Sequence, residues 1–384
     1  MSRDRDTVHV MRSHRAGLME DERMRRTRAV VLGCAGLVAV CLLAIVARPP
    51  TLGAQVRSSA APRGLYVYGH SWTTGYGLPD HSRSYPHLVA EDRGLTLHGR
   101  GVNGTLVNQV AEHVFGAGPE HWSAGARGDV ILQSVSNTAR DHGVDRLSLV
   151  TTRNSLRVML ATIGASRRVE DTSSSHHYTG RWRTVAMPWA SGGSVHVARR
   201  AGASVEFSAA GGEYVALRGV PGDGAAVRIR DVTTSRSIAL VHTGGQVRED
   251  YSHDGLPIVF RLPRSTAGHT VRVTKESGPG SLTFDARLPQ RDRPGTVVLL
   301  KEPYLADYSI STAHPYGSDH VTDVFNRVID DVAAGFPNAR VADPNAAGWD
   351  ARTMVKTGTT HATVAAHRFL ARLIEHKLAG AASG

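Results

Sequence analysis

The chain reads as an α/β protein whose parallel sheet, covered by helices on both faces, is interrupted by an all-β domain. Three observations predict this. Short apolar strands alternate with helical spacings from Leu65 to Ala165. Arg181 to Leu288 holds only short alternating runs separated by glycine-rich turns, with no helical pattern. The strand and helix rhythm then resumes at Thr296. The sheet domain is therefore expected to be split, with residues 64–168 and 293–384 folding together across an insertion at 169–292.

Leu65-Tyr-Val-Tyr68 is a β-branched and aromatic run suited to a buried first strand, and Gly69 and Gly75 bracket the hydroxyl-rich turn that follows. Tyr85 to Asp92 fits a short helix. Thr96 to Val102 fits a second strand ending in Gly101-Val-Asn-Gly104, and Thr105 to Phe115 returns to helical spacing. Asp129 to Asn137 reads as a third strand with a polar end, and Arg146 to Ala165 as an amphipathic helix. In the insertion, runs such as Ser194-Val-His-Val-Ala198, Tyr214-Val-Ala-Leu-Arg218 and Ala226-Val-Arg-Ile-Arg230 have the spacing of a β-sandwich, with turns such as Pro221-Gly-Asp-Gly224 between them. Thr296 to Pro303 supplies a near-continuous apolar strand, His320 to Ala334 a helix, Ala339 to Asp343 a last strand and Thr363 to Lys377 a closing helix.

The N-terminal region bears on location. Residues 1–28 form a polar tail with eight arginines and five acidic residues, and 48–63 has the composition of a linker. Between them, Ala29 to Ala47 is uncharged and close to the length a bilayer requires, and the basic run Arg23-Met-Arg-Arg-Thr-Arg28 precedes it. This predicts a transmembrane helix, with the tail cytoplasmic and the rest of the chain outside. A cleaved secretory signal is the rival reading, and Leu52-Gly-Ala54 is a poor cleavage site for it. Both cysteines, Cys34 and Cys41, fall inside the apolar run, so the exported part has no disulfide and no thiol nucleophile. The net charge of +11 is spread without a lysine or arginine block, which favours attraction to an acidic wall or membrane surface over nucleic acid.

Four residues line up with the ends of the predicted elements. Ser71 ends the first strand, Gly104 the second and Asn137 the third, while His361 precedes the last helix. Loops at the carboxyl ends of parallel strands share one edge, so residues distant in sequence converge there. A serine, a histidine and N–H donors are what acyl transfer requires: a nucleophile, a base, and charge stabilisation for a tetrahedral intermediate. The plain structural reading of the first turn is a helix capped by Ser71, Thr73 or Thr74.

In these blocks the sequence resembles the SGNH (GDSL-like) hydrolases. Gly69-His-Ser-Trp-Thr-Thr-Gly75 is similar to the family's first block, Gly104 in Gly101-Val-Asn-Gly-Thr105 to its second, Val135-Ser-Asn-Thr138 to its third, and His361-Ala-Thr-Val-Ala-Ala-His367 to its last. The resemblance implies a three-layer α/β/α, flavodoxin-like fold. It also implies Ser71 as nucleophile, His361 as base, and an oxyanion hole from the N–H groups of Ser71 and Gly104 with the Asn137 amide. Departures accompany it. His70, Val135 and Thr138 replace the family's residues, and Gly358 stands where the triad carboxylate belongs. Three readings follow: a Ser–His dyad steadied by a backbone carbonyl, a carboxylate supplied by Asp350, Asp343 or Glu302, or an inactive relic.

The insertion resembles carbohydrate-binding-like jelly rolls, notably at Tyr178-Thr-Gly-Arg-Trp182, and its position would let it overhang the catalytic edge. Trp72, Trp182 and Trp189 are candidate glycan contacts, with core packing the alternative for each. Asp250-Tyr-Ser-His253 fits a catalytic spacing but lacks a following helix, and His314 and His320 are candidates for the same pocket. No metal or cofactor is expected. The functional expectation is a membrane-anchored, outward-facing esterase acting on an acylated cell-envelope polysaccharide. An O-acyltransferase and an inactive glycan-binding protein are the alternatives.

Overall fold

The structure, a computed structural model, describes residues 64–117, 122–123, 126, 128–250, 255–292, 294–310 and 314–380. The predicted tail, apolar segment and linker at 1–28, 29–47 and 48–63 lie outside the described residues, as does His253. Among the described residues no helix is long and apolar enough to cross a membrane.

The first sheet is wholly parallel and runs β2 (Thr96–Gly101), β1 (Gly64–Gly69), β3 (Gly128–Gln133), β15 (Val297–Leu300), β16 (Ala339–Ala342) from edge to edge. Counted within this sheet, the order is 2-1-3-4-5, the flavodoxin-like arrangement. The alternation of each strand divides its side chains between two cores. Leu65, Val67, Ile131, Val298 and Leu300 face α2 (Tyr85–Arg93) and α8 (Val364–Ala379). Tyr68, Val130, Leu132, Val297 and Leu299 face α3 (Val107–Phe115), α5 (Arg146–Gly164) and α6 (Asp319–Ala333). These strand residues are 1% exposed or less, and fully burying such a side chain stabilises the fold by about 1.5–3 kcal/mol. The three-layer expectation therefore holds. The crossover after β1 packs on one face and the helices after β3 on the other, so a crevice opens at the carboxyl ends of these two strands.

Three further helices are short. α1 (Ser71–Thr74) follows β1, α4 (Ser136–His142) follows β3, and α7 (Ala351–Met354) precedes the last loop. Neither α4 nor α7 is legible as a period in the sequence, because each offers fewer than two full turns over which a pattern can repeat.

The insertion is a β-sandwich. One antiparallel sheet holds β5 (His177–Thr179), β8 (Ser204–Ser208), β13 (Thr270–Ser277), β10 (Ala226–Asp231) and β11 (Arg236–His242). The other holds β6 (Trp182–Ala186), β7 (Ser194–Ala198), β14 (Leu282–Leu288), β9 (Tyr214–Gly219) and β12 (Leu256–Arg261), with β4 (Val169–Glu170) paired to β14. Phe207, Val227, Leu217 and Phe284 meet between the sheets. The outer face of the second sheet is buried as well: Tyr214, Ala216, Ala286 and Leu288 share one core with Leu156, Met159, Leu160 and Ile163 of α5. This helix is therefore clamped between the two domains, which explains why it is buried over most of its length.

The insertion joins the sheet domain at the edge opposite the crevice, where Ser166 N–H donates to Pro289 O at 2.7 Å and Gly295 abuts Gly128 at the start of β3. Arg168 locks this junction by donating to the carbonyls of Val114, Phe115 and Gly116, which the carboxyl end of α3 leaves without helical partners, and to that of Trp122 beyond it. The expected overhang takes a different form. The segment after β11 climbs along α5, where Gln246 O accepts from Asn154, Arg248 reaches Asp145 at 2.7 Å, and Asp250 lies 3.6 Å from His142 at the end of α4.

Candidate active site

The turn after β1 is built by close packing. A side chain at Gly69 would meet Thr73 Oγ1 at 2.2 Å and Gln133 O at 2.4 Å, so only glycine lets β1, α1 and β3 approach this closely. His70 is the N-cap of α1, its Nδ1 accepting from Trp72 N–H at 3.4 Å, and Ser71 is the first helical residue. The capping role offered to Ser71 thus belongs to its neighbour. Ser71 is 9% exposed, and neither its hydroxyl nor its N–H bonds to another described residue, as expected for the first turn of a helix.

His361 is brought to this turn by Trp72. The Trp72 indole N–H donates to Thr360 O at 2.9 Å, so the residue after Ser71 grips the residue before His361. The Tyr76 ring lies 4.8 Å from the His361 ring, and Lys356 reaches back to Gly77 O. The loop is held locally by Lys356 N–H to His361 O at 2.9 Å and Thr363 N–H to Met354 O at 2.9 Å, after which Thr363 caps α8. Burial first, and then the positive charges of Arg140 and Lys356, hold the His361 imidazole below its ordinary pKa.

Asn137 does not end β3 as expected. The strand stops at Gln133 and Asn137 lies in the first turn of α4. The reason is Glu302, at the end of β15, whose carboxylate accepts the N–H groups of Val135 and Ser136 at 3.1 Å each and starts the helix from outside it. The same carboxylate meets His70 Nε2 at 3.3 Å and Gln133 Nε2 at 3.4 Å. With Nδ1 of His70 accepting and Nε2 facing a carboxylate, the Nε2–H tautomer is defined. Asn137 donates to Thr105 O at 2.9 Å and accepts from Arg140 Nη2 at 2.9 Å, which fixes its amide orientation and leaves a second N–H. Thr138 Oγ1 accepts from Val107 N–H at 2.9 Å, tying this block to the loop after β2. In that loop Gly104 is exposed, at φ +74.

The three candidate carboxylates are committed elsewhere. Glu302 serves His70 and α4, Asp343 pairs with Lys301 at 2.8 Å, and Asp350 caps α7 through Arg352 N–H at 3.0 Å. His361 has no carboxylate partner among the described residues. His314 does have one, Asp141, one turn beyond Asn137 in α4, and His320 is exposed. Trp72, offered as a glycan contact, is instead buried at 3% exposure with its N–H used internally. Trp182 is half-buried and donates to Thr179 O at 3.0 Å, while Trp189 is 48% exposed. Sequence reasoning missed His70–Glu302 and Arg140. Arg140 carries a faint signal, since it lies three residues after Asn137 and so shares its helical face.

No protein-family model and no curated protein matches the chain. Among solved structures, it is similar to porcine torovirus hemagglutinin-esterase at 8% identity and TM-score 0.41, covering 81% of this chain and 87% of that one. It is also similar to a member of the lipolytic protein G-D-S-L family from Veillonella parvula, at 11% identity and TM-score 0.36 over 82% and 97% of the two chains. A family 6 carbohydrate-binding module matches 33% of this chain and 93% of its own, at 15% identity and TM-score 0.25. Among the solved structures that this chain is similar to are thus G-D-S-L lipolytic proteins and hemagglutinin-esterases, and a carbohydrate-binding module that matches about a third of it.

Proposed function

We propose that the protein is an extracytoplasmic serine esterase that removes acyl groups, such as acetyl, from a cell-envelope carbohydrate. The observation that carries this reading is the Trp72–Thr360 hydrogen bond, which sets the Ser71 and His361 turns side by side at the crevice. In the proposed reaction, Ser71 Oγ attacks the ester carbonyl while His361 takes its proton. The oxyanion is met by the N–H groups of Ser71 and Gly104 and the free N–H of Asn137, oriented by Arg140. His361 then gives the proton to the departing sugar hydroxyl, leaving an acyl-Ser71. Water repeats the sequence and releases the carboxylic acid. The location outside the membrane rests on the basic flank and apolar run at 23–47.

A non-catalytic glycan-binding reading is favoured by one observation, the lack of a carboxylate on His361 among the described residues. A fluorophosphonate probe separates the two. Labelling of the wild type that disappears in Ser71→Ala supports the esterase; a folded wild type that takes no label supports binding alone.

A further inference from the structure

The insertion carries a groove of about 430 Å³ lined by Arg181, Trp182, Arg183, Val197, Arg199 and Arg200. It lies along β6, the edge strand of its sheet, and β7. The register sets Trp182 opposite Ala198 and Arg183 opposite Val197, and Arg181 and Arg199 are the residues directly beyond the last pair, so like charges gather at this end of the ladder. Elsewhere in this domain Arg228 pairs with Glu276 and Arg272 with Glu206 across neighbouring strands. In the groove none of the four guanidinium groups makes an ion pair or a side-chain hydrogen bond with a described residue. Edge-strand charges do discourage strand pairing between molecules. That role is satisfied by one or two charges; it does not call for four around a concavity with an apolar floor.

We propose that this groove binds an anionic polysaccharide, with the arginines taking its carboxylates or phosphodiesters and the Trp182 and Val197 surfaces packing against the sugar rings. Planar guanidinium groups match carboxylate and phosphate oxygens two at a time, and a partly exposed indole offers a flat apolar surface to a pyranose. This site is independent of acyl chemistry at Ser71. It stands or falls on binding alone.

The test is calorimetric titration of the full chain with octagalacturonate, a ribitol phosphate octamer, neutral xylohexaose and a single-stranded oligonucleotide of matched charge. Binding of either anionic glycan, weakening as salt is raised, is expected, and which one binds identifies the source of the negative charge. Arg181→Gln/Arg199→Gln is expected to weaken that binding by about tenfold or more, whereas Arg327→Gln/Arg368→Gln, which removes two exposed charges elsewhere, leaves it unchanged. Circular dichroism confirms that each variant is folded. The proposal is overturned if neither anionic glycan binds, if xylohexaose binds equally well, if the oligonucleotide binds more tightly, or if both double variants weaken binding alike.

Discussion

The indole N–H of Trp72 and the carbonyl of Thr360, separated by 288 positions, are joined at 2.9 Å. This bond couples the loop that carries His361 to the helix that begins with Ser71. Trp72→Phe keeps most of the ring and removes the donor. It is expected to cost about 1 kcal/mol of stability through the lost bond. Turnover should fall further than stability implies, with kcat down about tenfold and KM little changed, because a small displacement of the base disturbs proton transfer. Steady-state kinetics on an aryl acetate beside a chemical denaturation curve measure both. Unchanged kcat in a destabilised variant would mean that the bond serves folding only.

His361→Ala is expected to lower turnover by about a thousandfold or more while leaving the fold intact, since its ring is half-buried at the crevice and caps no helix. The wild-type pH profile carries a second signature. A base works in its neutral form, and burial together with the Arg140 and Lys356 charges keeps the imidazole neutral to lower pH than an ordinary histidine. The acid limb of kcat/KM should therefore lie below pH 6.5, activity falling as the pH drops through it. Removing one positive neighbour in Lys356→Gln should move that limb upward. A limb at or above 6.5 in the wild type, or a downward shift in the variant, sinks the assignment.

The sheet strands and long helices were legible in the sequence because each buries a periodic face: Leu65 and Val67 against Tyr66 and Tyr68 is period two, and α5 repeats over five turns. That the loops after the parallel strands share one edge was legible from topology, whereas the position of His361 depends on the Trp72–Thr360 bond and that of Asn137 on α4. What could not be read is the support beneath them. Glu302 is distant from His70, Val135 and Ser136 in the chain, and nothing in its local sequence marks it as the acceptor for all three. The commitment of Asp343 to Lys301 and of Asp350 to α7 is equally a matter of tertiary partners. The clamping of α5 on both sides was hidden for the opposite reason, since its threonines and serines look solvent-facing until the insertion covers them.

Glu302→Gln tests that support. The carboxylate accepts from Val135, Ser136, His70 and Gln133, so an amide in its place presents two N–H groups to neighbours that are themselves donors. The expected cost is about 1–3 kcal/mol of stability, with a fall in kcat because α4 carries Asn137. Denaturation midpoints and kinetics of the variant measure it. A Gln variant as stable and as active as wild type would show that these contacts are dispensable.

Removing the insertion should unfold the remainder. Joining residue 168 to 293 exposes the apolar surface of α5 that Tyr214, Ala216, Ala286 and Leu288 cover, and cuts away the partners of Asn154. The expected outcome is an insoluble or molten product, seen as loss of near-ultraviolet circular dichroism. A cooperative, monomeric sheet domain lacking the insertion would contradict the shared core.

His367 gives a prediction for pH and stability. It is 1% exposed, lies 5.9 Å from the Tyr85 ring, and its Nδ1 accepts Tyr85 N–H at 3.2 Å, supplying the cap that Ser84 does not give α2. Its Nε2 has no hydrogen-bond partner among the described residues, and burial, with the Lys356 charge second, pushes the ring's pKa down to about 4. The unfolded chain returns it to about 6.5. Between these values the unfolded state binds more protons, so the contribution of His367 is complete above about pH 6.5 and is lost as the pH falls through about 4. The whole gap is worth about 3 kcal/mol. His367→Phe keeps the packing and removes the titration, at a cost of about 1 kcal/mol at pH 7 for the uncapped N–H. The variant is therefore expected to start less stable and to lose stability less steeply toward pH 4. His176, also held near 4 by burial and by Arg287, is present in both proteins and cancels in the comparison. Unfolding free energies from urea titrations between pH 7 and 4 decide the matter, and parallel curves for the two proteins would remove His367 as the cause.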